Sequence, residues 1–396
     1  MKYVVIIGDG MADFPIDRLD GKTPLQAAQK PNMDLMARDG LCGSVVTVPE
    51  GFPPGSDVAC MSIFGYNPAR YYTGRAPIEA FGMGITMGEE DVAFRCNLVH
   101  LADGPRGMVM ADYSGGHITT EEAGTLVASL NRELASTEIA FYPGISYRHI
   151  MVWRKGLWEM ETTPPHDITG REILPFLPRG AGSERVQALM DASREILAGD
   201  PVNLARREAG KVPANSIWLW GQGRRAMLPS FEETHGLKGA TVAAVDLVKG
   251  ISKMIGFDTP MVAGATGYLD TNYAGKAEKA LELLADHDVV YVHVEAPDEA
   301  SHNGNLEEKI KAIETIDREV LGRILPVLED GARCLIVTDH ATPVAMRTHY
   351  GTPVPFAIYE KGHFREGSVD GYHEGIGSVE VTGEELIRLF LSRFEV

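Results

Sequence analysis

The chain has 396 residues, 44% of them hydrophobic and 23% charged, and its 37 basic against 55 acidic residues leave a formal net charge of −18. That length supports a large core and more than one domain, and the composition is ordinary for a folded enzyme. The acidic balance argues against nucleic acid or an anionic membrane surface as the main partner, since both need an excess of Lys and Arg.

The N-terminus enters a short strand at once, over residues 3–7, and shows no cleavage-site pattern, so no signal peptide is expected. No apolar run approaches the ~18 residues that a membrane span needs, and the expected location is the cytoplasm. The strand leads into Gly8-Asp9-Gly10, a turn. A helix is predicted over 23–38, kinked or divided by Pro31, then a strand over 44–48. The loop Pro49-Glu50-Gly51-Phe52-Pro53-Pro54-Gly55-Ser56-Asp57 follows, and a helix over 58–64. After Tyr72-Thr73-Gly74-Arg75 the pattern changes, with strands predicted at 93–99, 139–142, 149–153 and 216–220 and helices at 119–135 and 183–198. From Ala240 the alternation resumes: strands at 241–245, 289–294, 334–338 and 355–359, with helices near 247–255, 275–285 and 306–328 and a last one capped by Thr382.

Continuous apolar runs such as residues 3–7 and 289–294 suit strands buried on both faces of a parallel sheet. The expected fold is α/β: a doubly wound, mostly parallel sheet formed by residues 1–84 and 229–396, with a second α/β domain inserted at 85–228. Cys42, Cys60, Cys96 and Cys334 are far apart with no C-x-x-C pair, so buried thiols are expected rather than disulfides or zinc ligands. Gly82-Met83-Gly84-Ile85-Thr86-Met87-Gly88 has the wrong spacing for a dinucleotide fingerprint and reads as a turn.

Ligands of open α/β sheets bind beyond the carboxyl ends of the strands, and the acidic and histidine residues of this chain gather there. Asp9 follows the first strand. Asp298 and His302 follow 289–294, where a helix after Pro297 would stack them on one face. Asp339 and His340 follow 334–338, and His349 lies on the next loop. One carboxylate at a strand end is as readily a helix cap; three such ends together point to two adjacent metal sites, with a donor set suited to Mn²⁺ or Zn²⁺ better than Ca²⁺. Ser56 opens a predicted helix, where it is either an N-cap or a nucleophile activated by a metal that Asp9, Asp339 and His340 also hold. His293 and Glu295 precede the turn and read as structural.

These residues together resemble the alkaline phosphatase superfamily and, more closely, the cofactor-independent phosphoglycerate mutases of archaeal type. The resemblance covers nearly the whole chain. It is carried by Gly8-Asp9-Gly10, Pro54-Gly55-Ser56-Asp57-Val58-Ala59, Tyr71-Tyr72-Thr73-Gly74-Arg75, Ala93-Phe94-Arg95-Cys96-Asn97-Leu98, Asp298-x-x-x-His302 and Thr338-Asp339-His340. It implies two divalent ions per chain, Mn²⁺ foremost, with Zn²⁺, Co²⁺ or Mg²⁺ as the other choices. Asp298, His302 and His349 would hold one; Asp9, Ser56, Asp339 and His340 the other. Ser56 would accept the phosphoryl group of a small phosphoglycerate substrate, without bisphosphoglycerate. In the inserted domain, His117 of Ser114-Gly115-Gly116-His117 would face the substrate, Arg148 and Arg224 would clamp its anionic groups, and His166-Asp167 would be an acid/base pair. Lys249 matches a cleft lysine of the longer bacterial class. The resemblance leaves the oligomeric state open.

Two other activities fit parts of the pattern. A metal-dependent phosphatase or phosphodiesterase of the same superfamily would share the ligands and Ser56 but release phosphate to water. A homoserine-kinase-like phosphotransferase would need a phosphate-binding loop; Gly21-Lys22-Thr23 has the tail of one, but Ile16 stands where its first glycine belongs, and Gly275-Lys276 fails likewise with Asp270 there.

Overall fold

The structure is a computed structural model and describes residues 1–363 and 369–392. The chain forms two compact units, Met1–Tyr72 with Leu228–Val396, and Thr73–Met227.

The first unit is built on a seven-stranded sheet. In spatial order its strands are Gly239–Val242, Val289–Val294, Tyr3–Gly8, Arg333–Val337, Val354–Glu360, Leu41–Val46 and Glu380–Thr382. All run the same way except Val354–Glu360, which is antiparallel to both neighbours. Every residue of Tyr3–Gly8, Val289–Val294 and Arg333–Val337 is buried, as helices on both faces require. On one face Val4, Ile6, Val290, Val292 and Ile336 pack with Met33, Met36, Ala277 and Ile313. On the other, Tyr3 meets Phe390 edge-on at 5.4 Å and Tyr291 stacks on Phe64 at 4.4 Å. The sheet is therefore doubly wound and mostly parallel, as expected.

Two predicted helices differ in detail. The one over 23–38 is divided into Pro24–Ala27 and Pro31–Asp39, each beginning with proline, whose missing N–H is harmless only in a first turn. The one over 306–328 stops at Thr315 and widens into a π turn, Ile316–Leu321. That turn sets Asp317 against the start of Pro31–Asp39, where its carboxylate accepts the Met33 N–H at 2.8 Å.

In the second unit, Gly107–Asp112, Val92–Gly104, Arg148–Trp153 and Ile139–Tyr142 are neighbours in that order, and Ser216–Arg224 also pairs with Val92–Gly104. Every pairing is antiparallel. Helices Thr120–Leu134 and Ser183–Ala198 bury Leu126, Leu130, Val186 and Leu189 with Phe94, Leu98 and Trp218. Two of the four connections within this sheet are hairpins and two pass through helices, so the unit mixes helices with an antiparallel sheet instead of the parallel one of the first unit. Residues 73–84, expected in the first unit, also belong here. Helix Arg75–Gly82 buries Ala76 and Ala80 with Ala93, Ile150 and Val152. A Cβ on Gly223 would sit 2.5 Å from the Thr73 carbonyl oxygen, so the two segments pass in contact. Among the described residues no helix is long and apolar enough to cross a membrane.

Candidate functional site

Strand Tyr3–Gly8 lies between Val289–Val294 and Arg333–Val337, with Gly8 opposite Val294 and Ile7 opposite Val337. The three strands therefore end at one edge, and the segments that follow them meet there. The Asp9 N–H closes on the Val294 carbonyl at 3.0 Å, and the Gly10 N–H donates to Asp339 Oδ1 at 3.0 Å. Gly10 has φ of +64°, and a Cβ there would lie 2.7 Å from both Asp298 Oδ1 and Thr342 Oγ1. Only glycine gives this backbone and this approach together. Behind the site, the fully buried Lys309 donates to the Ala12 and Thr342 carbonyls at 3.2 and 2.9 Å and pairs with Asp13 at 2.9 Å. One side chain thus ties the loop after Tyr3–Gly8 to the loop after Arg333–Val337.

Helix Ala296–His302 begins beside Pro297, and its Asp298 and His302 face one another, Oδ2 to Nε2, at 3.2 Å. His349 Nε2 is 3.5 Å from Asp298 Oδ1 and 2.9 Å from His302 Nε2. His302 Nδ1 meets the Arg347 carbonyl at 3.0 Å and His349 Nδ1 the Pro54 carbonyl at 3.2 Å. A carbonyl only accepts, so each Nδ1 carries a proton, and the Nε2 of each ring, turned inward, is the position open to a cation or a second proton. A proton competes for the same place: the hydrogen bond to Asp298, against burial, raises the His302 pKa to about 9.

Beside this group lies a second. Gly55, not Ser56, is the N-cap of helix Ser56–Ile63, which leaves the Ser56 hydroxyl free of that duty; its Oγ is 3.1 Å from His340 Nε2. His340 Nε2 is also 3.3 Å from Asp339 Oδ2 and 3.7 Å from Asp9 Oδ1. Its Nδ1 meets Thr342 Oγ1 at 3.1 Å, and that hydroxyl donates its only proton to Asp298 Oδ1 at 2.6 Å. His340 Nδ1 must then be the donor, and its Nε2 lone pair faces Ser56 as well. Thr342 joins the two groups.

The donors present fit cations. Asp298, His340 and His349 offer ligand atoms within 4.8 Å of one another, as do Asp9, Asp339 and His340. Both Asp9 oxygens are buried without a hydrogen-bond partner. Burial first, then repulsion from Asp339, Asp298 and Glu295, pushes the Asp9 carboxyl well above its ordinary range. Carboxylates crowded in a buried pocket ask for positive charge, and inward imidazole lone pairs supply the rest of a coordination shell.

His293, expected to be structural, lies beside Asp9. Its Nε2 lies 3.1 Å from Asp9 Oδ2, the ring is buried, and neither nitrogen has a hydrogen-bond partner. A signal was available: a histidine in an otherwise apolar, fully buried strand must meet a polar group inside the protein. It also shares a sheet face with Tyr291, which packs on Phe64 at the end of the Ser56 helix. Lys249 pairs with Asp246 at 3.4 Å.

In the second unit, His117 is exposed, with φ of +49°, at the end of a loop that the buried Arg206 pins by donating to the Gly115 and Gly116 carbonyls at 3.1 and 3.0 Å. The Arg148 guanidinium lies over the Tyr147 ring at 5.2 Å, and His166 packs edge-on to Trp220 at 5.5 Å. His166 and Asp167 are 3.5 Å apart, a loose contact with both half exposed or more. Burial lowers the His166 pKa; Asp167 opposes it, while Arg95, Arg75 and Arg148 add to it, so these three guanidinium groups are neighbours of His166. Arg95, to which the sequence assigned no role, stacks over Trp220 at 4.2 Å and pairs with Glu79 at 2.9 Å. Arg224 stands apart. It pairs opposite Val92 whereas Arg148 pairs opposite Asn97, which separates the two backbones by roughly 16 Å of strand. The Arg224 guanidinium lies 5.9 Å from the Trp158 ring centre, and its buried Nε has no hydrogen-bond partner.

A family model described as 2,3-bisphosphoglycerate-independent phosphoglycerate mutase matches residues 37–203. A probable enzyme of that name from Geobacter sulfurreducens is 51% identical over 99% of this chain and 100% of its own length. Its counterpart from Methanothrix thermoacetophila is 50% identical, again over 99% and 100%. The solved structure of a cofactor-independent phosphoglycerate mutase from Thermoplasma acidophilum superposes with a TM-score of 0.69 at 29% identity, covering 99% of both chains.

Proposed function

The chain belongs to the 2,3-bisphosphoglycerate-independent phosphoglycerate mutase family, and on that footing we propose that it interconverts 3-phosphoglycerate and 2-phosphoglycerate through a phosphoserine at Ser56. The observation that carries this reading is Ser56 Oγ at 3.1 Å from His340 Nε2, in a pocket shared with Asp9 and Asp339. Asp298, His302 and His349 would hold one divalent cation and Asp9, Ser56, Asp339 and His340 another, with Mn²⁺ first and Zn²⁺, Co²⁺ or Mg²⁺ as alternatives. Such cations would lower the pKa of the serine hydroxyl and offset charge on the transferring phosphoryl group.

Ser56 Oγ attacks phosphorus in line; the Oγ–P bond forms as the bond from phosphorus to the substrate oxygen breaks, and the hydroxyl proton ends on the departing glycerate. The unpaired N–H groups at the start of helix Ser56–Ile63 favour the anionic phosphoryl oxygens. Glycerate then presents its other hydroxyl, which takes the phosphoryl group back and restores Ser56. Retention of glycerate between the two transfers is the task this proposal gives to His117, Arg148, His166, Asp167 and Arg224, with Arg75 and Arg95 adding positive charge near His166. Guanidinium groups suit a carboxylate, and exclusion of water protects the phosphoserine from hydrolysis. A cytoplasmic place in glycolysis and gluconeogenesis goes with this reaction.

The test is conversion of 3-phosphoglycerate to 2-phosphoglycerate with Mn²⁺ present and bisphosphoglycerate absent. Phosphate release exceeding isomerisation would make the protein a phosphatase instead, and ATP-dependent phosphorylation of homoserine would make it a kinase.

A further inference from the structure

Beyond the two proposed cation sites, a separate set of donors converges on the far side of Asp9. Cys60 lies four residues after Ser56 on the same helix and therefore on the same face. Its thiol is fully buried, with Sγ 4.0 Å from Asp339 Oδ2. Cys60, His293 and Asp339 offer ligand atoms that all lie within 4.8 Å of one another. The Asp9 carboxylate divides between the two sides: Oδ1 is 3.7 Å from His340 Nε2, and Oδ2 is 3.1 Å from His293 Nε2. On Asp339, Oδ1 is already taken by the N–H groups of Gly10 and His340 at 3.0 and 2.8 Å, so Oδ2 is the oxygen left for a cation.

The second observation is the state of the polar atoms. Both ring nitrogens of His293 and both oxygens of Asp9 are buried with no hydrogen bond, although His293 Nε2 and Asp9 Oδ2 are near enough for one. The pair is close but not aligned donor to acceptor. Two buried groups in that relation are costly unless a third body sits between them. Neither proposed cation site uses His293 or Cys60.

We infer that Cys60, His293 and Asp339, with Asp9 Oδ2 bordering His293, form a third cation site that takes a thiophilic divalent metal such as Zn²⁺ and is joined to the Ser56 site through the Asp9 and Asp339 carboxylates. One thiolate, one imidazole and carboxylate oxygens make a zinc set; Mg²⁺ and Mn²⁺ prefer oxygen and do not seek sulfur. Binding converts the Cys60 thiol to thiolate and releases its proton to solvent. The ion ties helix Ser56–Ile63 to strand Val289–Val294 and so fixes the backbone that carries the nucleophile. The inference rests on buried donors alone and holds whatever the substrate is.

The full-length chain, stripped with a chelator, is titrated with Co²⁺ while near-ultraviolet absorption is followed. The site predicts a thiolate-to-cobalt charge-transfer band in the wild type that is absent from Cys60→Ser, with one fewer Co²⁺ bound per chain in the variant. His293→Gln should weaken the band's apparent affinity at least tenfold. If Cys60→Ser does not fold, the wild type alone decides: Co²⁺ saturation without a thiolate band overturns the site. A band that persists in folded Cys60→Ser overturns it equally.

Discussion

His302 Nε2 and His349 Nε2 lie 2.9 Å apart, although each ring already donates from Nδ1 to a backbone carbonyl, at Arg347 and Pro54. Two inward lone pairs at that distance repel unless a positive charge lies between them, and Asp298 borders both rings. Removing Asp298 or either imidazole should therefore cost one metal ion per chain. Asp298→Asn and His349→Ala are expected to lower metal content, measured by elemental analysis after dialysis, and to reduce mutase activity at least 100-fold. Undiminished metal content in either variant would contradict the two-cation reading.

Thr342 shares no bond with substrate in this account, yet it sets the proton on His340. Its hydroxyl donates to Asp298 and receives the His340 Nδ1 proton. Thr342→Val keeps the shape and removes both links. Loss of such an outer partner typically weakens metal binding about 10–100-fold, and Thr342→Ser should restore most of it. Competition with a chelating indicator measures the difference.

Gly10 offers a test of backbone rather than ligands. Gly10→Ala places a methyl 2.7 Å from Asp298 Oδ1 and Thr342 Oγ1 on a backbone with φ of +64°. The left-handed conformation alone costs ~1–2 kcal/mol for a residue with a Cβ, and the clash adds to it by displacing Asp298. A lowered urea midpoint with impaired metal binding is expected; an unchanged midpoint would show that the loop has room to yield.

His149 makes the second unit sensitive to acid. It is buried, its Nδ1 accepts the Gly144 N–H at 3.0 Å, and its Nε2 has no partner. Burial lowers its pKa from 6.5 to about 4. Above pH 6.5 the ring is neutral in both folded and unfolded chains and costs nothing. As pH falls from 6.5 towards 4 the unfolded chain gains the proton first, so stability is lost across that window, by about 2 kcal/mol at pH 5. The difference in urea stability between wild type and His149→Gln should change with pH by that amount between pH 7 and pH 5; a constant difference would mean that His149 is not the sensitive group.

The central sheet and the strand ends that carry the proposed ligands were readable because buried parallel strands are short, β-branched and followed directly by their loops. Asp9, Asp298 and Asp339 could be placed at strand ends without knowing the register. His293 signalled only that it must meet some polar group; that the group is Asp9 depends on which sheet face meets the Ser56 helix, a tertiary fact. The second unit resisted for a related reason. Its long strand Val92–Gly104 bends past His100 through an irregularity in its pairing with Gly107–Asp112, which breaks the alternation that marks a strand. Arg75 sat outside the expected boundary because the helix carrying it is apolar on the side that meets the second sheet. Arg148 and Arg224 look equivalent in the sequence, and only the strand pairing separates them.

The central claim is that Ser56 carries the phosphoryl group. Turnover of 3-phosphoglycerate labelled at phosphorus, quenched in acid and followed by peptide mass spectrometry, tests it most directly. The account predicts label on the peptide containing Ser56, none on Ser56→Ala, and no isomerisation by that variant. An active Ser56→Ala enzyme, or label held on another residue, would contradict it.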